Sequence, residues 1–337
     1  MIKKSLLVLM VILLLVVASV WWTLQKTEQW LTQPLAVTEP RLLKVPAGSN
    51  YHSVIRQFES QHWIEDSVLK KIVPRLHPNL IKVKKGTYQI EPGLSLQEAL
   101  NTIVSGQEHQ FSMTFIEGST FSQWRATLEA SSHLQHTLNE LDEAQIAKKL
   151  GLDTDKVEGW LLPETYHYTE GTTDLAILTW AHRKLSNELQ QAWDNKQADL
   201  PLETPYQALI LASIIEKETA IDSERGTVAS VFVNRLRRGM RLQTDPTVIY
   251  GMGAAYDGNI TRKDLRQPTP YNTYVIKGLP PTPIAMVSAQ SIRAALNPQQ
   301  SPYYYFVATG NGGHRFSKTL AEHNRAVRAY LQELKKK

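Results

Sequence analysis

The longest apolar stretch of the chain lies at its N-terminus. Residues 5–25 carry no charged side chain and consist mainly of Leu, Val, Ile and Met. About 20 such residues are enough for a helix to cross the hydrocarbon core of a bilayer. Two lysines precede the stretch, and Trp21 and Trp22 stand near its far end, where aromatic side chains favour the membrane interface. The pattern predicts an uncleaved anchor rather than a signal peptide, whose apolar region is shorter and ends in an Ala-x-Ala-like site.

The charges beside this stretch predict its orientation. Positively charged residues that flank a membrane helix stay on the cytoplasmic side. Residues 1–4 are therefore predicted to be a cytoplasmic tail, and the rest of the chain to lie outside the membrane. Residues 26–40 are largely polar and contain two prolines, which indicates a stalk.

From residue 41 to residue 107 the apolar positions switch between strand and helix spacing. The first four predicted elements follow the order strand, helix, helix, strand. This order resembles that of a LysM-like module, a small glycan-binding fold. The predicted elements are a strand at 43–45, helices at 51–61 and 67–76, a strand at 82–90 and a helix at 96–104.

Residues 108–337 mix many helical patterns with a few short strands. The whole chain is thus predicted to be α+β, with one N-terminal transmembrane helix, a small LysM-like βααβ subdomain and a larger mixed α/β domain at 108–337. The predicted strands are 111–116, 303–308 and 314–317, and the predicted helices are 121–128, 138–150, 175–198, 205–218, 223–238, 245–250 and 321–334.

Two acidic residues close the most apolar helix of this larger region. The sequence TPYQ at 204–207 marks the helix start, with an N-cap threonine followed by proline. Glu218 falls in line with an apolar stripe, whereas Glu216 lies roughly 200° round the helix, beside small residues. The stripe is formed by Leu211, Ile214 and Ile215.

The position of Glu218 is compatible with acid catalysis. A carboxyl in apolar surroundings has a raised pKa and can remain protonated near neutral pH, as a general acid for glycosidic cleavage requires. Alternatively, Glu218 ends the stripe at the surface, or pairs with Arg225 or Arg235. Spacing alone leaves both interpretations open.

Composition removes several classes of function. The chain has 337 residues, with 42% hydrophobic and 20% charged side chains and no cysteine, which excludes disulfides, thiolate catalysis and Cys-zinc sites. No HExxH motif is present, so we expect neither a metal nor a cofactor, and His314 is interpreted as a hairpin residue bonded to backbone. A net charge of +5 with only a C-terminal lysine run does not indicate nucleic-acid binding.

Several motifs, in order, identify a resemblance that covers essentially the whole chain. They are IIEKET, VFVNRL, MRLQTDPTVIYG, PYNTY, GLPP and GGHRF followed by EHN. Together they closely resemble the YceG-like, or MltG, endolytic murein transglycosylases. The resemblance implies a bacterial inner-membrane protein whose periplasmic body cleaves the MurNAc-β-1,4-GlcNAc bond of nascent peptidoglycan strands and leaves 1,6-anhydro ends, which would terminate strand elongation.

The same resemblance assigns roles to particular residues. The second acid of the EKE motif, Glu218, corresponds to the single catalytic glutamate. Glu164 and Tyr166 belong to a Glu-Gly…Pro-Asp-Thr-Tyr element in which Glu164 replaces the usual aspartate, adding one methylene. Thr282 replaces a glycine in the GLPPGPI motif, so this turn cannot require a strongly positive φ.

Polar loops near these motifs are predicted to hold the glycan. Tyrosine faces stack on sugar rings, while hydroxyl and amide groups bond sugar hydroxyls and acetamido groups. The alternative is that these residues cap helices or bond within their own loops. The candidates are Tyr271, Asn272, Thr273, Tyr274, Thr244, Asp245 and Glu216.

Two other functions remain possible on sequence alone. The chain could be a non-catalytic wall-binding scaffold that recruits cell-wall synthases, or a hydrolase that uses water and leaves reducing ends. Peptidoglycan strands and the inner membrane are the expected partners in each case, with synthases as a further candidate.

Overall fold

The structure is a computed structural model that describes residues 2–310 and 312–334. Residue 1 of the predicted cytoplasmic tail, residue 311 of the predicted hairpin turn and the C-terminal lysines lie outside the described residues. The chain divides into two compact units, one formed by Met1–Phe111 with His167–Gly171 and the other by Ser112–Tyr166 with Thr172–Lys337.

The first unit begins with a long helix and continues as a small α+β domain. Strands β1 and β2 pair antiparallel, with Arg41 opposite Ile90 and Val45 opposite Gly86. Its elements are α1 (Ile2–Thr32), β1 (Arg41–Val45), α2 (Tyr51–Ser60), a 3₁₀ turn (Val68–Lys71), α3 (Val73–Leu76), β2 (Gly86–Ile90) and α4 (Leu96–Ser105).

Helix α1 is long and apolar enough to cross a membrane, from Lys3 to Thr32. It fits a single-pass anchor, as predicted. The helix continues beyond the predicted stretch, however, and its last turn carries Trp30 and Leu31 into the core of the first unit. Leu35 and Val37 are buried in the same core. The segment predicted as a stalk therefore folds as part of this unit.

The predicted strand–helix–helix–strand order is present, with one helix interrupted. The segment 67–76 forms a 3₁₀ turn and then the short α3, because Pro74 lacks an N–H and its ring would clash with the carbonyl four residues earlier. The second strand starts only at Gly86, opposite the end of β1. The α+β class is confirmed; the likeness to a LysM module stays a prediction.

The second unit is mainly helical. Strand β3 pairs with β4, and β5 pairs antiparallel with β6 in a hairpin. Its elements are β3 (Phe111–Thr114), α5 (Phe121–Glu129), α6 (Glu143–Leu150), β4 (Thr165–Tyr168), α7 (Asp174–Asp194), α8 (Pro205–Glu218), α9 (Asp222–Arg237), α10 (Asp245–Met252), two 3₁₀ turns (Gly253–Ala255 and Asp264–Arg266), α11 (Ala289–Leu296), β5 (Tyr305–Ala308), β6 (His314–Ser317) and α12 (Leu320–Leu334).

Helix α8 is the central element of this unit. It contacts α7, α9, α10 and α11, and its middle turns are buried on every side. As predicted, Thr204 caps the helix by accepting the N–H of Gln207 at 3.2 Å, and Pro205 is its first residue. Gln207 in turn accepts the N–H of Glu203 at 2.7 Å. A helix enclosed in this way can hold the residue at its C-terminal end in a fixed position.

The N-caps of the next two helices are not the residues that capping preferences favour. Helix α9 starts at Asp222 after Ile221, although Ser223 lies in its first turn. Helix α10 has Thr244 in the N-cap position, so Asp245 is its first residue rather than its cap. The Asp245 carboxylate is therefore available to the site described next.

Candidate active site

Glu218 is the last residue of α8, and the chain turns sharply after it. Thr219 is extended, with φ −146° and ψ 133°, and its hydroxyl accepts the N–H of Ile221 at 3.0 Å. The short 219–221 connection leads directly into α9. Glu218 therefore extends from a rigid helix end and is only partly accessible to solvent.

The electrostatic surroundings of Glu218 favour its protonated form. Burial raises the pKa of the Glu218 carboxyl above its usual range, and the nearby Asp245 carboxylate raises it further. The hydrogen bond from Thr244 and the positive charges of His314 and Arg235 act in the opposite direction. Burial is the largest of these effects, so the predicted raised pKa of Glu218 agrees with the structure.

Glu218 opens into a cavity of about 680 Å³, here called the Glu218 cavity. Its walls come from α8, α9, the loop before α10, the β5–β6 hairpin and α12. Besides Glu218 it is lined by Arg235, Leu242, Gln243, Thr244, Asp245, Tyr274, Tyr305, Phe306, Val307, Ala308, His314, Leu320, His323, Asn324 and Val327.

Thr244 is the residue that contacts Glu218 directly. Its hydroxyl donates to Oε1 of Glu218. Two hydrogen bonds hold its backbone in place. The Thr244 N–H donates to Thr273 Oγ1 at 3.1 Å, and the Thr247 hydroxyl donates to the Thr244 carbonyl at 2.7 Å. Thr273 is fully buried, so this threonine cluster supports Thr244 from the core side.

Asp245 and Tyr274 form a second polar pair on the cavity wall. The Tyr274 hydroxyl donates to Asp245 Oδ1 at 2.6 Å. Burial raises the pKa of Tyr274, and the hydrogen bond to Asp245 raises it further. The pair thus places the Asp245 carboxyl next to a neutral phenol. Because Asp245 does not cap α10, its carboxylate is available for this bond.

Two residues of the predicted glycan-binding loop lie elsewhere. Asn272 is buried: its amide donates to two backbone carbonyls and its oxygen accepts the Tyr274 N–H at 2.9 Å. The Tyr271 hydroxyl bonds the Thr282 hydroxyl at 2.8 Å, and its ring meets Tyr250 edge to face. Both bonds stabilise the loop from inside. Thr282 does not belong to the residues with positive φ, in agreement with its replacing glycine.

The remaining predicted site residues also have internal partners. Glu216 accepts the N–H and the hydroxyl of Ser288 at 2.9 and 2.6 Å, at the start of α11. Glu164 pairs with Lys184, and the Tyr166 hydroxyl donates to the Leu162 carbonyl at 2.6 Å. The structure thus brings Glu218, Thr244, Asp245 and Tyr274 together, while Glu216, Glu164 and Tyr166 do not line the cavity.

Glu158 is another buried carboxyl of this unit, outside the Glu218 cavity. It is 4% exposed and accepts the Phe121 N–H, which begins α5, at 3.1 Å. The Tyr250 hydroxyl donates to it at 3.3 Å. Burial raises the pKa of Glu158 to about 7, against the lowering effect of its hydrogen bonds.

Spacing did not reveal the opposite wall of the cavity, which is formed by Arg235, Tyr305, His323 and Asn324. Arg235 is buried, with its guanidinium 5.3 Å from the Tyr305 ring centre, and Tyr305 stacks on His323 at 5.3 Å. In the sequence, the EHN motif, which contains His323 and Asn324, was the feature that could have indicated these residues. Within residues 2–310 and 312–334, no group of three or more His, Asp or Glu side chains could hold a metal ion.

Comparison with known proteins places this site in a family. A family model described as the YceG-like family matches residues 43–329. A Bacillus subtilis protein named endolytic murein transglycosylase is 33% identical over 269 residues, which are 75% of this chain and 74% of that protein. A Streptococcus pneumoniae (strain D39) protein of the same name is 24% identical over 321 residues, covering 85% of this chain but only 58% of that protein.

A solved structure agrees with these matches. The crystal structure of a yceG-like protein from Listeria monocytogenes is 29% identical to this chain, with a TM-score of 0.53, over 86% of this chain and 99% of that one. The residues matched by the family model include the whole lining of the Glu218 cavity and most of the first unit. The predicted resemblance is confirmed: the chain belongs to the YceG-like family.

Proposed function

We propose that this protein is an endolytic murein transglycosylase, which cleaves the MurNAc-β-1,4-GlcNAc bond within glycan strands and leaves 1,6-anhydro-MurNAc ends. The names of its Bacillus subtilis and Streptococcus pneumoniae relatives support the reaction. The catalytic role is assigned to Glu218 on one observation. Its carboxyl has a raised pKa, lies at a rigid helix end and opens into a glycan-sized cavity.

In the first step Glu218 acts as a general acid. The protonated carboxyl donates to the glycosidic oxygen as the C1–O bond breaks, and the bonding electrons leave with that oxygen. Positive charge then develops on the ring oxygen and C1 of the muramic acid. The carboxylate of Asp245 lies on the same cavity wall and stabilises this charge.

In the second step Glu218 acts as a base. Its carboxylate accepts the proton of the muramic C6 hydroxyl while O6 forms a bond to C1, which closes the 1,6-anhydro ring. The proton lost in the first step is thereby recovered, and no water is consumed. One carboxyl serves both steps, so a second flanking acid, as in ordinary glycosidases, is not required.

Thr244 prepares Glu218 for both steps. Its hydroxyl occupies Oε1, which leaves Oε2 as the oxygen that carries the proton. Tyr274 offers a ring face and Asp245 an acceptor to the sugars, whereas Thr273, Asn272 and Tyr271 support these groups through the bonds described above. Glu216 fixes the start of α11 and takes no part in proton transfer.

Helix α1 anchors the enzyme in the bacterial inner membrane. Lys3 and Lys4, which precede the apolar stretch, support a cytoplasmic N-terminus, so that the chain after this stretch lies in the periplasm. Glycan strands are extended by synthases at the outer surface of this membrane. An anchored endolytic enzyme meets these strands before they leave the surface, and synthases are its expected partners. The non-catalytic scaffold is the disfavoured alternative, since it gives no reason for the raised pKa of Glu218.

The products distinguish the reactions. Purified protein is incubated with uncrosslinked glycan strands in H₂¹⁸O, and the fragments are analysed by mass spectrometry. We expect 1,6-anhydro ends without ¹⁸O, formed by wild type and absent with Glu218→Gln. Reducing ends that carry ¹⁸O would identify a hydrolase, and intact strands would identify a scaffold.

A further inference from the structure

The β5–β6 hairpin brings a histidine into the Glu218 cavity. His314 is the first residue of β6 and lines the cavity together with Glu218. When protonated, its positive charge lowers the pKa of Glu218, which shows that the two groups lie within electrostatic range. The ring is mostly buried, with 13% of its side-chain surface exposed.

Glu224, in the first turn of α9, holds His314 through its backbone and its ring. Both carboxylate oxygens accept the backbone N–H of His314 at 3.1 Å, and Oε2 lies 2.9 Å from Nδ1 of the ring. An ionised carboxylate can only accept hydrogen bonds, so Nδ1 carries the hydrogen. His314 is thus bonded to a side chain as well as through its backbone, which corrects the interpretation made from the sequence.

The neighbouring residues fix the ring still further. A Cβ at Gly313 would come within 2.9 Å of Glu224 Oε1, so the glycine permits the close approach of the carboxylate. The Phe306 ring meets the imidazole edge to face, with centroids 5.3 Å apart and planes at 83°. The ring is therefore held in one orientation and one tautomer.

With Nδ1 occupied, Nε2 is the nitrogen left for a ligand. In the neutral ring it carries a lone pair and accepts hydrogen bonds. Nε2 takes no part in the contact with Glu224, so it is the ring nitrogen available to a sugar in the cavity.

We propose that His314 contacts the glycan, with Nε2 accepting a hydrogen bond from a sugar hydroxyl beside the scissile bond, and that Glu224 is the residue that positions it. This inference rests on the proposed transglycosylase function. It adds a polar contact from the β5–β6 hairpin to the groups of Glu218 and Thr244 in the same cavity.

The test uses two amides that replace different ring nitrogens. In His314→Asn the side-chain amide reaches about as far as Nδ1, so the contact with Glu224 is kept and the cavity contact is lost. In His314→Gln the amide reaches about as far as Nε2. Steady-state kinetics on soluble glycan strands should show kcat/KM at least about tenfold lower for His314→Asn, with substantial recovery in His314→Gln.

Two further variants separate substrate contact from folding. Glu224→Ala leaves the ring in place but no longer fixes its orientation, so kcat/KM should fall. The double variant with His314→Asn should have a kcat/KM no lower than that of the less active single variant. His182→Asn is the matched control: this ring bonds the Trp160 carbonyl at 3.1 Å outside the cavity, and its loss should leave kcat/KM unchanged. Thermal unfolding is measured for every variant.

The outcomes separate this inference from the proposed function. If wild type forms no anhydro ends, the proposed function fails. If wild type and His314→Gln do not differ from His314→Asn, or if Glu224→Ala keeps wild-type kcat/KM, the function stands and the role of His314 is overturned.

Discussion

Glu216 and Glu218 are two residues apart on one helix, yet they differ in what surrounds them. Glu216 accepts two hydrogen bonds from Ser288 and fixes the start of α11. Glu218 accepts one hydroxyl, from Thr244, and otherwise faces the cavity. A carboxylate with several donors is stabilised in its charged form, whereas a buried one with a single donor is biased toward the acid. Burial has the largest effect on the pKa of Glu218, and the cavity into which this residue opens distinguishes it from the structural Glu216.

The largest expected effect follows from replacing Glu218, the proposed catalytic member of the pair. Glu218→Gln removes the transferable proton but keeps size and the Thr244 contact, so strand cleavage should fall by about 10²–10⁴ or more. The fold and membrane insertion should be unchanged. Rates of anhydro-end formation and circular dichroism measure both, and a wild-type rate in this variant would reject Glu218 as the acid.

Glu158 tests whether burial alone makes a carboxyl catalytic. Its pKa of about 7 in the folded protein exceeds the unfolded value of 4.5, so the stability it contributes is complete below pH 4.5 and is lost as pH rises through about 7. The loss should be roughly 3 kcal/mol by the linkage of pKa to stability.

Urea unfolding between pH 4 and pH 8 measures this loss. Glu158→Gln, which cannot ionise, should flatten the pH dependence while retaining cleavage activity. Loss of activity equal to that of Glu218→Gln, in a variant that folds normally, would show that burial and not the cavity defines the catalytic carboxyl.

Thr244→Val sharpens the comparison by removing the one donor of Glu218. The Thr244 hydrogen bond lowers the pKa of Glu218, so its loss should raise that pKa further. Since the acid form is active, activity disappears as pH rises through this pKa, and the alkaline limb of the kcat/KM profile should move to higher pH. We expect kcat to fall about tenfold through poorer orientation. An unchanged alkaline limb would mean that another group controls it.

The smallest effect is expected at Glu216. Glu216→Gln keeps an acceptor for Ser288 but loses the charge, so stability should fall by about 1 kcal/mol and activity by much less than in Glu218→Gln. Ser288→Ala keeps the backbone N–H bond to Glu216 but removes the hydroxyl bond and the N-cap bond to the Ser291 N–H, so its loss in urea unfolding should be at least as large. Equal loss of activity in both glutamate variants would indicate a coupled carboxyl pair instead.

Helical phase and the family motifs both indicate Glu218, because both depend on residues close together in sequence. The helical position of Glu216 did not predict its environment, because the small-residue face that it shares with Ala212 and Ser213 is as buried as the apolar stripe. Only the position of α11 explains its role. The same holds for Asn272 and Thr273, whose polar side chains suggested sugar contacts but bond the backbone inside the protein.

The opposite cavity wall could not be derived from spacing. His314, His323 and Asn324 are about a hundred residues from Glu218 in the chain, and only the packing of the hairpin and α12 brings them to it. Ends of helices were also displaced by single residues, since capping preferences of Ser and Asp do not include competing bonds from distant residues. Such bonds decided the role of Thr244 and Asp245.

The apolar stretch of α1 is followed within a few residues by the folded core of the first unit, which limits how far that core can lie from a membrane. Between residue 25, the end of the apolar stretch, and Thr32 the helix rises only about 10 Å, at 1.5 Å per residue. Trp30 and Leu31 are already within the folded core at that point. If α1 acts as the proposed membrane anchor, its last turns hold the core of the first unit within roughly one helix diameter of the lipid headgroups.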